Sequence, residues 1–170
     1  MISKRTSFWM VPILTTLHNT EEVMFMPRLL QVRNSSIPGP LQRVLPPLTY
    51  EQFLLAVVIM TVIPYFVALY ADFDRERAAG MYLILSLQAM MLINVFAHLG
   101  MAVIMHGYAP GVVTAVVINL PFSLYLLRRA LRENWISRKA EALICLAGLA
   151  LHAAVLPGIV LMCRGMLSHS

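Results

Sequence analysis

Uncharged apolar length sets the architecture. A helix needs about 20 apolar residues to cross the hydrocarbon core of a bilayer. Four stretches supply that or nearly so: 52–71, with Pro64 inside it; 81–105; 111–127, closed by Arg128 and Arg129; and 142–163, ended by Arg164. A fifth stretch, 7–26, is apolar but interrupted by Pro12, His18, Glu21 and Glu22. It follows Lys4 and Arg5 as the apolar part of a signal peptide would. Proline breaks the run, however, and no small-x-small cleavage site follows, so it reads as a fifth span. Residues 27–47 are rich in proline, with Leu29, Leu30, Leu41 and Leu45 among them, and read as an interfacial loop or lid. The pattern predicts an all-α, polytopic membrane helix bundle forming a single domain over 1–170. It has five transmembrane helices, or four if the N-terminal segment is interfacial.

Composition removes the competing classes. The 170 residues are 59% hydrophobic and 12% charged, against about 45–50% and about 25% for soluble domains. The net charge of +5 comes from Lys and Arg scattered between apolar runs, without the basic patch and interleaved aromatics of a nucleic-acid surface. The expected partner is the lipid bilayer, with no nucleic acid. Cys145 and Cys163 share one apolar run; as helix they stand about 27 Å apart, beyond disulfide reach. With five spans, Lys4, Arg5, Arg75, Arg77, Arg128, Arg129, Arg132, Arg138 and Lys139 fall on one side, and Arg28, Arg33, Arg43 and Arg164 on the other. That bias places the N-terminus inside and the C-terminus outside.

Ionisable groups within spans are costly and are functional suspects by default. The first cluster is His18-Asn19-Thr20-Glu21-Glu22, where both carboxylates lie three or four residues from His18, on its helix face. Asn94 and His98 form an i, i+4 pair in the third span; Asn119 lies in the fourth and His152 in the fifth. Counted from the outer helix ends at 1.5 Å per residue, Glu22, His98, His18, Asn119 and His152 lie at depths of about 6, 10, 12, 12 and 16 Å. Four helices thus send polar groups into one layer, which reads as a single pocket in an apolar bundle.

The stretches His18-x-x-Glu21-Glu22, Asn94-x-x-x-His98 and Tyr108-x-Pro110-Gly111-x-x-Thr114 resemble, in order and separation, the signature of the HXXEE family of small bacterial membrane proteins. That family pattern carries a histidine four positions before the tyrosine; here Ile104 stands there, and His106 lies two before Tyr108. The resemblance implies a bacterial cytoplasmic-membrane protein and a site that draws on all three motifs, but no reaction.

Neutral imidazole and carboxylate suit a divalent metal, zinc or iron. His18, Glu22 and His98 are the expected ligands, with His152 as a substitute. Glu21 is then the expected general base and Asn94 an orienting group, with Tyr108 completing the candidate catalytic set. Tyr108 also suits the interfacial aromatic belt, and Thr114 a bond to backbone. An outward-facing site within the bilayer implies a lipid-like or other apolar small-molecule substrate, and hydrolysis is the simplest chemistry for it. Two alternatives stand beside this. One is a metal-free acid–base isomerase or cyclase working on an isoprenoid-like substrate; the other is a non-catalytic ion-binding or accessory subunit. No HExxH, GxSxG or Gly-rich phosphate loop occurs, so zincin peptidase, α/β-hydrolase and nucleotide-using assignments lack support.

Overall fold

The computed structural model describes residues 2–36, 48–73 and 78–167, and among these no strand occurs. The described residues form five long helices: α1 (Lys4–Ser36), α2 (Tyr50–Phe73), α3 (Ala79–Ile104), α4 (Val112–Arg132) and α5 (138–167). α2 through α5 are each long and apolar enough to cross a membrane. α1 falls outside that set, because the polar residues of its middle offset its apolar ones.

The loop expected at 27–47 needs correction, since α1 continues through Pro27 to Ser36. Proline lacks the N–H that would bond the carbonyl of Val23 four residues earlier. The Tyr50 hydroxyl of α2 takes its place, donating to Val23 O at 3.2 Å. The remainder of that stretch, 37–47, and the turn containing Arg75 and Arg77 lie outside the described residues.

α1 runs antiparallel to α2 along its length. Arg5 meets Asp72 at 2.6 Å at one end, Thr16 meets Tyr65 at 3.0 Å, and Asn19 donates to Thr61 at 2.7 Å further along. α3 is the central helix and packs against all four others; Ile84, Leu85 and Val95 on it are fully buried. Close approach to α5 depends on Gly148, where a Cβ would lie 2.7 Å from the backbone nitrogen of Met90. Large apolar residues such as Phe66, Val103, Leu146 and Leu161 face outward, as a lipid-exposed surface requires.

The end of α1 holding Lys4 is fixed by Arg129 of α4. That guanidinium is buried and donates to Glu133 (2.6 Å), Ser7 (2.9 Å) and Tyr125 (3.2 Å), and it stacks on Trp135. Trp135 in turn meets Phe8 edge-on at 5.9 Å.

α4 and α5 each contain one widened turn with i→i+5 bonding, at Ala115–Asn119 and Leu151–Val155. In both helices the widened turn ends two residues before a proline, Pro121 or Pro157. A proline ring clashes with the carbonyl four residues earlier, and widening the turn relieves that clash. Such turns often occur at functional sites; these two carry Asn119 and His152.

Gly148→Ala is expected to lower stability by about 1–3 kcal/mol, the usual cost of overpacking. Gly100→Ala, where a Cβ meets nothing within 4 Å, is expected to lose nothing. Thermal unfolding of the two variants in one detergent checks the pair.

Candidate metal centre

Adjacent carboxylates on a helix point about 100° apart, and α1 uses that angle. Glu22 turns toward the bundle interior, while Glu21 turns toward the start of α4. The interior side holds His18 Nε2, His98 Nε2 and Glu22 Oε1. Glu22 Oε1 lies 3.1 Å from His98 Nε2 and 3.9 Å from His18 Nε2, and ligand atoms of the three residues all fall within 4.8 Å of one another. His18 is 1% exposed, and the two rings meet edge to face at 4.8 Å.

Protonation follows from the neighbours. The Asn94 amide nitrogen lies 2.9 Å from His18 Nε2 and 3.0 Å from His98 Nε2. An amide nitrogen only donates, so His18 Nε2 accepts from it, whereas His98 Nε2 lies between that donor and the acceptor Glu22 Oε1. For His18 the rest of the chain agrees: Nδ1 lies 2.9 Å from Thr114 Oγ1, and that hydroxyl donates to Glu21 Oε2 at 2.5 Å. Asn94 Oδ1 accepts from His152 Nε2 at 3.2 Å, which brings α5 into the cluster. Three candidate ligand atoms therefore converge, and the 3.1 and 3.9 Å from Glu22 Oε1 to the two Nε2 atoms lie either side of the roughly 3.4 Å that a tetrahedral zinc imposes on its nitrogen and oxygen ligands.

Glu21 has a different task. The first N–H groups of a helix have no partner within it, and the residue before α4 is Gly111, which has no side chain to cap them. Glu21 caps them from α1, accepting from Thr114 N at 2.7 Å and Val113 N at 3.3 Å. Tyr108 donates its hydroxyl to the same carboxylate at 2.6 Å. Burial raises the Tyr108 phenol above its ordinary pKa, and Glu21 adds to the shift, so Tyr108 remains a donor. The negative charge also favours the positive end of the helix dipole.

Gly111 is glycine for two reasons. Its φ is +83°, and a Cβ there would lie 2.7 Å from His98 Cε1, 2.9 Å from Glu22 Cγ and 3.0 Å from His18 Cε1. The turn closes directly over the cluster, and only a hydrogen fits.

His18, Glu22, His98 and Asn94 thus sit together, with His152 joined through Asn94 and Thr114 joined through His18. Glu21 and Tyr108 form the adjoining cap. Asn119 is buried, and its amide nitrogen has no hydrogen-bond partner among the described residues. His106 is exposed in the turn after α3 with φ +50°. Gly111 stands in the Tyr108-x-Pro110-Gly111-x-x-Thr114 motif, but its place over the cluster depends on how the turn folds back on α1 and α3. Beside the cluster, a cavity of about 170 Å³ opens between α1, α2, α3 and α5; Glu22 and Asn94 form its polar edge, and Phe53, Met60, Met90 and Val160 line its apolar wall.

Residues 9–126 match a family described as a protein of unknown function with an HXXEE motif. The chain is similar to the uncharacterized protein YrkK of Bacillus subtilis strain 168, with 29% identity over 122 residues, covering 71% of this chain and 72% of that one. No solved structure matches.

Thr114→Val removes the hydroxyl between His18 and Glu21, and is expected to cost about 1–3 kcal/mol by leaving the buried His18 Nδ1 unsatisfied, while Glu21 keeps Tyr108 and the two backbone N–H groups; Thr114→Ser is expected to avoid most of that loss. Gly111→Ala, strained in φ and pressed against both histidines, is expected to cost at least about 1–3 kcal/mol. Thermal melts of the three variants in a common detergent check the order.

Proposed function

The chain belongs to the HXXEE family, and on that premise we propose that it is a metal-dependent membrane enzyme, hydrolase-like, acting on a lipid-like or other apolar substrate. The observation that carries this is the meeting of His18, His98 and Glu22, whose candidate ligand atoms all lie within 4.8 Å of one another. A divalent zinc or iron ion satisfies all three and leaves a coordination position open. When bound, such an ion polarises a carbonyl and makes water nucleophilic near neutral pH.

The protein's own groups then have separable tasks. Thr114 and Glu21 hold the His18 ring in the tautomer that directs Nε2 inward, an outer support typical of metal-bound histidine. Asn94 orients His18 and His98 together and ties them to His152, the remaining imidazole in contact with the cluster and the group assigned to proton transfer. The general-base task expected for Glu21 passes from it, because its oxygens are occupied by Tyr108, Val113 and Thr114. Glu21 instead fixes the start of α4 against α1. The adjoining 170 Å³ cavity is close in size to an engineered apolar cavity of about 150 Å³ that binds benzene, so it suits a compact apolar portion of the substrate. α1, antiparallel to α2 from Arg5 to Val23, is taken as a fifth span with the N-terminus inside.

A metal-free acid–base reading is favoured by one observation, the continuous line from His18 through Thr114 to Glu21. In that reading the line moves a proton instead of fixing a ring, and solvent deuterium would enter an isoprenoid-like substrate.

Elemental analysis of the purified, detergent-solubilised protein separates the two. Near-stoichiometric zinc or iron is expected in the wild type and is expected to be lost in His18→Ala and in His98→Ala. No metal in the wild type, even after zinc or iron is added back, would overturn the metal-dependent reading. Chelation should lower the melting temperature, and zinc at about 100 times its dissociation constant should restore about 2.7 kcal/mol.

A further inference from the structure

The opposite end of the bundle holds a separate feature. The turn from α4 into α5 gathers Arg128, Arg132 and Arg138 around one cavity of about 820 Å³ with no carboxylate in its lining. Glu133, the acid closest in sequence, is taken by the buried Arg129 at 2.6 Å. Arg129 faces inward onto Ser7, Tyr125 and Trp135, whereas the other three guanidiniums are exposed. One basic group of this segment is therefore structural and neutralised, and three are left facing a common space.

The turn is built to hold them there. Asn134 adopts φ +56°, and Trp135 N donates to Ala130 O at 2.8 Å, which folds the chain back against α4. Ser137 then caps α5 by accepting from Ala140 N at 3.2 Å, so the positive end of that helix lies beside the arginines.

Away from the arginines the cavity wall is apolar, formed by Leu131, Ile136, Leu124 and Pro121. Pro121 precedes Arg128 by seven residues, about 10 Å along the helix axis. α4 is one of the helices long and apolar enough to cross a membrane, so Pro121 and Leu124 lie on its membrane-embedded part and the arginines lie at its margin. Positive charge at the margin above an apolar wall matches an amphiphile carrying an anionic head. Guanidinium is suited to paired hydrogen bonds with phosphate oxygens, and basic pockets between membrane helices recognise anionic headgroups.

We propose that this cavity binds an anionic phospholipid, its phosphate held by Arg128, Arg132 and Arg138 and an acyl chain lying along Leu124 and Pro121. The site is independent of the metal centre and does not rest on the enzymatic reading.

Native mass spectrometry of the full-length protein, titrated with phosphatidylglycerol and with phosphatidylcholine, tests it. Phosphatidylglycerol is expected to bind at least about tenfold more tightly, given the attraction of basic residues to anionic lipid. That preference is expected to vanish in the Arg128→Gln, Arg132→Gln, Arg138→Gln triple variant. Leu124→Trp fills the apolar end without changing charge, and is expected to weaken phosphatidylglycerol while sparing any affinity for inorganic phosphate. Equal retention of the two lipids by the wild type overturns the proposal without any variant having to fold. An unchanged preference in the triple variant overturns it as well. Inorganic phosphate competing as well as the lipid, with Leu124→Trp silent, would mean a free-phosphate site and would also overturn it.

Discussion

Two imidazole nitrogens and a carboxylate oxygen face one another inside an apolar bundle, and together they must be satisfied by positive charge or shared hydrogen. In water the solvent would supply that; between helices the protein must. Asn94 supplies part of it, with one amide nitrogen serving both Nε2 atoms. The 3.1 Å contact between His98 and Glu22 is left for a cation or a proton. The surrounding residues follow from this requirement. Gly111 is needed because the turn must pass within a hydrogen's width of His18, Glu22 and His98. That glycine cannot cap the helix it begins, so Glu21 reaches from α1 to do so. Thr114 then joins the cap to the cluster, accepting from His18 and donating to Glu21. The spacing of the motif thus has a physical account: two neighbouring glutamates are required because two tasks lie in directions about 100° apart on one helix.

The start and the middle of α1 are held by unlike means. Near Lys4 the helix is fixed by a buried guanidinium stacked on Trp135 and bonded to Ser7, whereas near Glu22 it is fixed by the cluster itself. A charged group placed among aromatic and hydroxyl partners gains geometric definition even where its net contribution to stability is small. That definition matters here, since the cluster is assembled from side chains of separate helices. Anchoring the remote end limits how far His18 can slide along α1.

Much of this was legible in the order of residues. The four apolar spans begin and end within a few residues of α2 to α5, because uncharged length is a strong constraint in lipid. The cluster was legible as well, since His18, Glu22, Asn94 and His98 are polar groups in positions that hydropathy disfavours. Other features were not, and each failure has a cause. Pro27 and the proline-rich stretch after it suggested that the helix ends there; the continuation depends on the Tyr50 hydroxyl, twenty-seven residues from the carbonyl it satisfies. The widened turns before Pro121 and Pro157 are absent from any periodicity of 3.6. The division between Glu21 and Glu22 depends on where α4 begins, which is a tertiary fact. The meeting of Arg128, Arg132 and Arg138 around one cavity likewise depends on the left-handed Asn134.

α1 brings these points together. It is the least apolar of the five helices, and it falls short of the apolar character that the other four reach. The residues that lower it are His18, Asn19, Glu21 and Glu22, each with a named partner in another helix: Thr114 and Asn94 for His18, Thr61 for Asn19, Tyr108 and Thr114 for Glu21, and His98 for Glu22. Hydropathy assigns these side chains the cost of facing lipid or solvent alone, although the bundle faces them toward one another. A local rule fails where polar side chains are satisfied by one another across helices. The same reasoning explains why the polar cluster lies on α1 and α3 and spares α2: α3 is central and can present Asn94 and His98 inward, and α1 can be polar because α2 and α4 shield it. The helix that fits a bilayer least well by composition carries the residues around which the other helices are arranged.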